Sequence, residues 1–148
     1  MNIVGLRTAI HEVLRKRGID PIPLDPWNFP SPEEFEQVRC TSLIGYHNLR
    51  LSKYLLSSSF RPISVTLHPR FTPLNPSSGE NGLLAWLRLF ARPHFFKTLD
   101  DETSEAVMRE VVEMCRVDCC TKFNGRDGVK KEIWALMYVR LRFVAVKN

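Results

Sequence analysis

Residues 133–146, IWALMYVRLRFVAV, decide the fold class. The odd positions Ile133, Ala135, Met137, Val139, Leu141, Phe143 and Ala145 are all apolar, while the even ones include Trp134, Tyr138, Arg140 and Arg142. Successive side chains of a strand point to opposite faces, so this period predicts a strand with its odd face in a core and its even face part buried, part polar. A second alternating stretch, residues 60–68 (FRPISVTLH), sets Ile63, Val65 and Leu67 against Ser64, Thr66 and His68. It predicts a second strand with one buried face, ended by Pro69, and the segment PRFTPLNPSSGENG that starts there reads as loop.

Helical spacing dominates elsewhere. Ile3, Leu6, Ile10, Val13 and Leu14 recur every three or four residues, which predicts an amphipathic helix over 3–17 stopped by Gly18. Arg15, Lys16 and Arg17 fall at its negative dipole end. Residues 19–30, IDPIPLDPWNFP, hold four prolines and read as an extended connector carrying Trp27 and Phe29. Ser31-Pro32-Glu33-Glu34 predicts a capped helix start running through Phe35 and Val38. Asn81 is placed to cap a short helix through Leu83, Leu84, Leu87 and Phe90, broken at Pro93. The clearest helix spans 101–118, with Val107, Val111, Met114 and Cys115 on one face, Asp100, Asp101 and Glu102 at its positive end, and a Glu105–Arg109 pair one turn apart. Asn124-Gly125 and Asp127-Gly128 mark a reversal before the closing strand.

Two strands and three or four helices follow from this reading. Two strands do not make a stable sheet alone, so something else is expected to complete it.

Hydrophobic residues make up 44% of the 148 residues and charged residues 25%, an ordinary globular composition. No apolar run is long enough to span a membrane, and the opening residues lack the continuous apolar stretch of a signal peptide. A cytoplasmic protein without membrane contact is expected. The net charge of +5 shows no clustered basic stripe along the sequence, so nucleic acid is not expected as a partner. The four cysteines, Cys40, Cys115, Cys119 and Cys120, lack paired CxxC spacing, and no metal site is expected. By the dipole argument, Cys119 and Cys120 at a helix C-terminus should have raised thiol pKa values.

Four stretches, in order, carry a family likeness: the opening helix ending RKRGIDP, the pair WNFPSPEEF, the strand and loop FRPISVTLHPRFTPL, and the block LAWLRLFARPHF with the closing YVRLRFVAVK. Together they resemble the C-terminal half of Rossmann-like S-adenosylmethionine-dependent methyltransferases, in the branch of trans-aconitate methyltransferase and fungal small-molecule methyltransferases. The resemblance implies an incomplete α/β fold, a single partial domain over 1–148. Residues 60–68 and 133–146 would form its antiparallel edge hairpin, and 81–118 a helical excursion over the substrate. Met1–Val4 would begin where the family's fifth strand ends.

Against that pattern, residues 39–58 are an atypical insert. Val38 is encoded by a GT codon of splice-donor type and Ser57–Ser59 can hold an acceptor, so we expect a translated intron, with a genuine surface insertion as the alternative. The family binds its cofactor through a glycine-rich turn after the first strand and an acidic residue ending the second. The chain has seven glycines and no GxG. S-adenosylmethionine is therefore the cofactor of the family, with none expected on the isolated chain.

On the substrate side the resemblance would place Trp27, Phe29, Arg70, Trp86, Arg92, Tyr138 and Arg140. Arginines grip carboxylates and aromatics wall apolar pockets, which implies a small, carboxylate-bearing substrate. The same aromatics equally serve as core and the arginines as solvated surface. Methyl transfer depends on aligning a nucleophile, so no catalytic base is assigned. His94, beside Phe95 and Phe96, is the one histidine worth testing as a base. A non-enzymatic alternative is a protein that binds a partner, or itself, through an unpaired sheet edge.

Overall fold

The computed structural model describes residues 3–27, 29, 31–32, 60–74, 80–124, 128 and 130–147. The chain divides into two compact units, Ile3–Pro26 with Phe71–Tyr138, and Met1–Asn2 with Trp27–Arg70 and Val139–Asn148.

The first of these units holds the helical core. Helix α1, Val4–Arg15, buries Leu6, Ala9, Ile10, Val13 and Leu14, the stripe expected from the spacing. Its end is a Schellman motif: Gly18, at φ 72, donates its N–H to Arg15 (2.9 Å) and Ile19 donates to Leu14 (3.1 Å). The proline-rich connector is not wholly extended, because Ile22–Leu24 winds into a 3₁₀ turn that starts at Pro21 with a proline in its first positions. A proline ring already has helical φ and lacks the N–H that a first turn leaves unpaired.

Helix α2, Gly82–Phe90, starts where expected, with Asn81 Oδ1 accepting from Leu83 N–H (3.0 Å) and Leu84 N–H (3.1 Å). A break at Ala91 precedes the short helix α3, Arg92–Phe95, which carries Pro93 in its first turn. Helix α4, Asp101–Met114, is capped by Asp100, which accepts from Thr103 N–H (2.8 Å) and Oγ1 (2.7 Å). The expected helix to 118 is interrupted at Cys115 and resumes as α5, Arg116–Cys119. Met114 turns outward instead of joining the buried face of Val107, Met108, Val111 and Val112. Helices α1 and α4 pack together, and α2 packs on α3 and α4. Leu83, Leu87, Phe95 and Phe96 complete the core. Glu110 of α4 pairs with Arg17 (2.8 Å) and Lys16 (3.5 Å) beyond α1, which gives the expected basic cluster specific carboxylate partners.

The sheet is three-stranded and antiparallel, in the order β1-β3-β2. Strand β1 is Phe60–Leu74, β2 is Cys120–Asn124 and β3 is Lys130–Lys147. Strand β2, absent from the sequence expectation, pairs with the start of β3 from Cys120↔Trp134 to Asn124↔Lys130. Its sequence, CTKFN, is short and largely polar, and only the reversal after it hinted at a hairpin. Strand β1 continues past Pro69 to Leu74. It lies at a sheet edge, where a proline can sit with its missing N–H turned away from the neighbouring strand. Pro69 and Pro73 are four residues apart and so share one side of the strand.

Two burial expectations fail. Ile63 and Leu67 are exposed, so the alternation in β1 does not mark a buried face. In the first part of β3 the odd side is covered only at Ala135: Trp134, Ala135 and Leu136 are all buried, while Ile133 and Met137 are 41% and 47% exposed. The larger even side chains meet helical partners: the Arg116 guanidinium lies 5.1 Å from the Trp134 ring, and Tyr138 meets Trp86 of α2. No helix among the described residues is long and apolar enough to cross a membrane. The insert at 39–58 and the helix after Pro32 lie outside the described residues.

Candidate functional site

Helix α2 begins unusually close to the end of β1. A Cβ at position 82 would collide with the Leu74 carbonyl oxygen and stand 2.9 Å from Leu74 Cβ and 3.0 Å from its carbonyl carbon, so the approach requires glycine. This junction orients α2, and α2 then directs Trp86 at β3. The Trp86 Nε1–H donates to the Tyr138 hydroxyl at 2.6 Å. An indole nitrogen donates and never accepts, so the phenol oxygen is the acceptor and its own proton stays available for another oxygen. Burial pushes the Tyr138 phenol up, only partly offset by the Trp86 hydrogen bond, and keeps that proton in place. Phe90, one turn on, closes against Trp86 with ring centroids 5.1 Å apart. Trp86 thus meets Tyr138 through its N–H and Phe90 through its ring.

One turn of α2 also carries Arg88, the centre of an ion network. It pairs with Glu80 and forks onto Glu105 of α4, through Nε at 3.0 Å and Nη2 at 2.5 Å. Arg109 joins the same carboxylate at 3.0 Å, which is the pair expected one turn apart. The Arg88 hydrogen bond holds the Glu105 carboxyl below its ordinary range.

Of the sequence-predicted site residues, Trp86 and Tyr138 are brought together. Arg92 pairs with Asp101 at the start of α4, so a substrate carboxylate would have to displace an existing partner. Trp27 and Phe29 are half-buried and belong to the other unit, as do Arg70 and Arg140, both exposed. His94 is exposed on α3. Sequence reasoning missed Phe90 as a partner of Trp86, although their spacing of four on a helix was a usable signal. It also missed the anchor of the connector, where Asp25 receives Arg7 Nε and sits 2.8 Å from His11 Nε2 with its side chain 4% exposed. No short-range pattern announces that contact.

The cysteines depart from the dipole expectation. Cys115 and Cys119 are buried and their thiols hydrogen-bond each other. That bond lowers the Cys119 thiol and raises Cys115, whereas burial raises Cys120. The expected increase therefore holds for Cys120 and reverses for Cys119, because a donor at hydrogen-bond distance outweighs a helix terminus of one short turn. No group of three His, Cys, Asp or Glu side chains among the described residues is arranged to hold a metal ion.

No family model and no curated protein matches the chain.

Proposed function

We propose that the chain is the substrate-side part of an S-adenosylmethionine-dependent methyltransferase fold acting on a small, carboxylate-bearing molecule, and that it does not transfer methyl groups by itself. One observation supports this reading above the others. Strands β1 and β3 are neighbours in the sheet although helices α2 to α5 lie between them in the chain. This order supports the edge hairpin with a helical excursion which the sequence resemblance implies, with the short β2 added before β3. The Trp86–Tyr138 pair joins the excursion to β3, where an apolar wall and one phenol donor suit the positioning of a small acid. Holding nucleophile and methyl group in line supplies much of the rate of such a transfer, and a general base is not demanded.

In this reading the cofactor turn comes from other polypeptide, because the sequence contains no GxG. The alternative is a non-enzymatic partner paired on the sheet edge; at β1 such pairing meets Pro62, Pro69 and Pro73, each without an N–H donor.

The test is to read the transcript from upstream of Met1 through residue 60. A reading frame that extends upstream into a strand and a glycine-rich turn, with 39–58 spliced out, supports the proposal. A transcript that starts at Met1 and retains 39–58 as its dominant form overturns it and shifts attention to a binding partner. Binding by the purified chain gives a second check. Specific retention of S-adenosylmethionine at micromolar concentration would contradict the assignment of cofactor binding to another segment.

A further inference from the structure

Strand β2 covers β3 only from Lys130 to Trp134, so along 139–147 the sheet is two strands wide among the described residues, β3 beside β1. Residues 60–70 of β1 and 139–147 of β3 belong to the same compact unit. Both faces of this ribbon are open to solvent. Neighbouring residues of a strand point to opposite faces, and the neighbours Phe143 and Val144 are both exposed, as are Ile63 and Ser64.

Charge is gathered on the same two strands. Residues 60–74 and 139–147 carry Arg61, Arg70, Arg140, Arg142 and Lys147 and no Asp or Glu, so they hold the whole net charge of +5 and the rest of the chain is formally neutral. The arginines also differ in their partners. In the helical unit Arg15, Arg17, Arg88, Arg92, Arg109 and Arg116 each pair with a carboxylate. Arg70, Arg140 and Arg142 are exposed and meet no carboxylate among the described residues. Their guanidinium donors are therefore open to an anion from outside, which they can grip with two N–H groups at once. Arg140 and Arg142 share one face and stand about 6–7 Å apart along the strand, a step comparable to that between successive phosphates of a nucleic acid.

We propose that this ribbon binds double-stranded DNA, with Arg70, Arg140 and Arg142 on the phosphates. The major groove admits a two-stranded β-ribbon, and a ribbon open on both faces is what such a groove can surround. A lipid surface would instead call for one apolar face set against one basic face. Here Phe143 and Val144 put exposed apolar groups on opposite faces, and Val144 and Val146 share the face of Arg140 and Arg142. The sequence shows no continuous basic stripe because strands far apart in the chain contribute the arginines, and only their pairing gathers them. The methyl-transfer reading does not rest on this ribbon, so either proposal can fail alone.

Fluorescence anisotropy of a labelled duplex of mixed sequence, about 20 base pairs or two helical turns long, titrated with the purified chain, tests the proposal. Salt is varied from about 50 to 200 mM, and log affinity should fall against log salt with a slope of about −3 or steeper, at about 0.9 for each phosphate neutralised. Arg140→Gln combined with Arg142→Gln should weaken binding and make the slope shallower by about 2, and Arg70→Gln alone by about 1. Arg15→Gln combined with Arg109→Gln removes the same charge from the helices and should leave affinity and slope nearly unchanged. Circular dichroism checks that each variant keeps its native spectrum, and should the β3 pair fail to fold, Arg70→Gln decides. The proposal is overturned by an absence of binding at about 50 mM salt, where phosphate contacts are strongest. Equal losses in the ribbon and helix variants, a single strand bound as tightly as the duplex, or phosphatidylserine vesicles bound more tightly than the duplex would overturn it as well.

Discussion

Gly82→Ala puts the contact between β1 and α2 to a quantitative test. The added methyl group would collide with the Leu74 carbonyl oxygen and lie 2.9 Å from Leu74 Cβ, against 3.4 Å or more for ordinary contact. The obstacle is backbone, so relief requires the α2 start and the β1 end to separate by about half an ångström or more, an overpacking of the kind that costs about 1–3 kcal/mol. Alanine returns less than about 1 kcal/mol of helix propensity, since position 82 is the first of the helix. The net expectation is a loss of about 1–2 kcal/mol. For a chain of this length that lowers the melting temperature by roughly 2–8 °C. Thermal denaturation followed by circular dichroism reads it directly. Gly5→Ala is the matched control, because there the new Cβ meets only the Asp118 Oδ2 side-chain atom at 3.3 Å inside α1. It should leave stability unchanged or raise it by about 0.5 kcal/mol. If Gly82→Ala melts at or above the wild-type temperature, the close approach of Leu74 is not what orients α2, and the positioning of Trp86 needs another cause.

Further expectations bear on the same helical unit. Tyr138→Phe removes the acceptor of the Trp86 indole and should cost about 1 kcal/mol in urea unfolding, with a red-shift of tryptophan emission as the local readout. An unchanged spectrum and midpoint would mean that the bond does not organise the site. Asp100→Ala strips the cap from α4 and should destabilise by about 1 kcal/mol, and Asp100→Asn should recover most of the loss. Glu105 has a folded-state pKa below its ordinary 4.5, so its contribution to stability is full above that value and is lost as pH falls through the lower folded value. Glu105→Gln should therefore be less stable than wild type near neutrality, with the gap narrowing in urea titrations as the pH is taken below 4.5. A gap independent of pH would exclude the carboxylate as its source.

Much of the candidate site could be named from sequence, but little of its arrangement. Trp86 and Tyr138 stood out as amphipathic aromatics, yet they lie 52 residues apart and nothing local pairs them. Glu105 with Arg109 was readable because a helix fixes that spacing, whereas Arg88 on the same carboxylate depends on how α2 crosses α4.

The sequence by itself determined most of the regular segments, though not β2, the Ile22–Leu24 turn or the end of β1. The Leu6–Ile10–Val13–Leu14 stripe, the Gly18 stop, the Asn81 and Asp100 caps and the alternation in 133–146 are local effects of backbone geometry and side-chain hydrogen bonds, and they act within a few residues. Tertiary structure decided what those segments do. It buried Trp134, Ala135 and Leu136 and left Ile133 and Met137 exposed, because coverage of a strand depends on which neighbours reach it and not on its alternation alone. It let β1 run past Pro69, because an edge strand tolerates a residue without an N–H donor. It lowered Cys119 where a helix end alone would raise it, because a thiol at hydrogen-bond distance acts more strongly than a distant dipole.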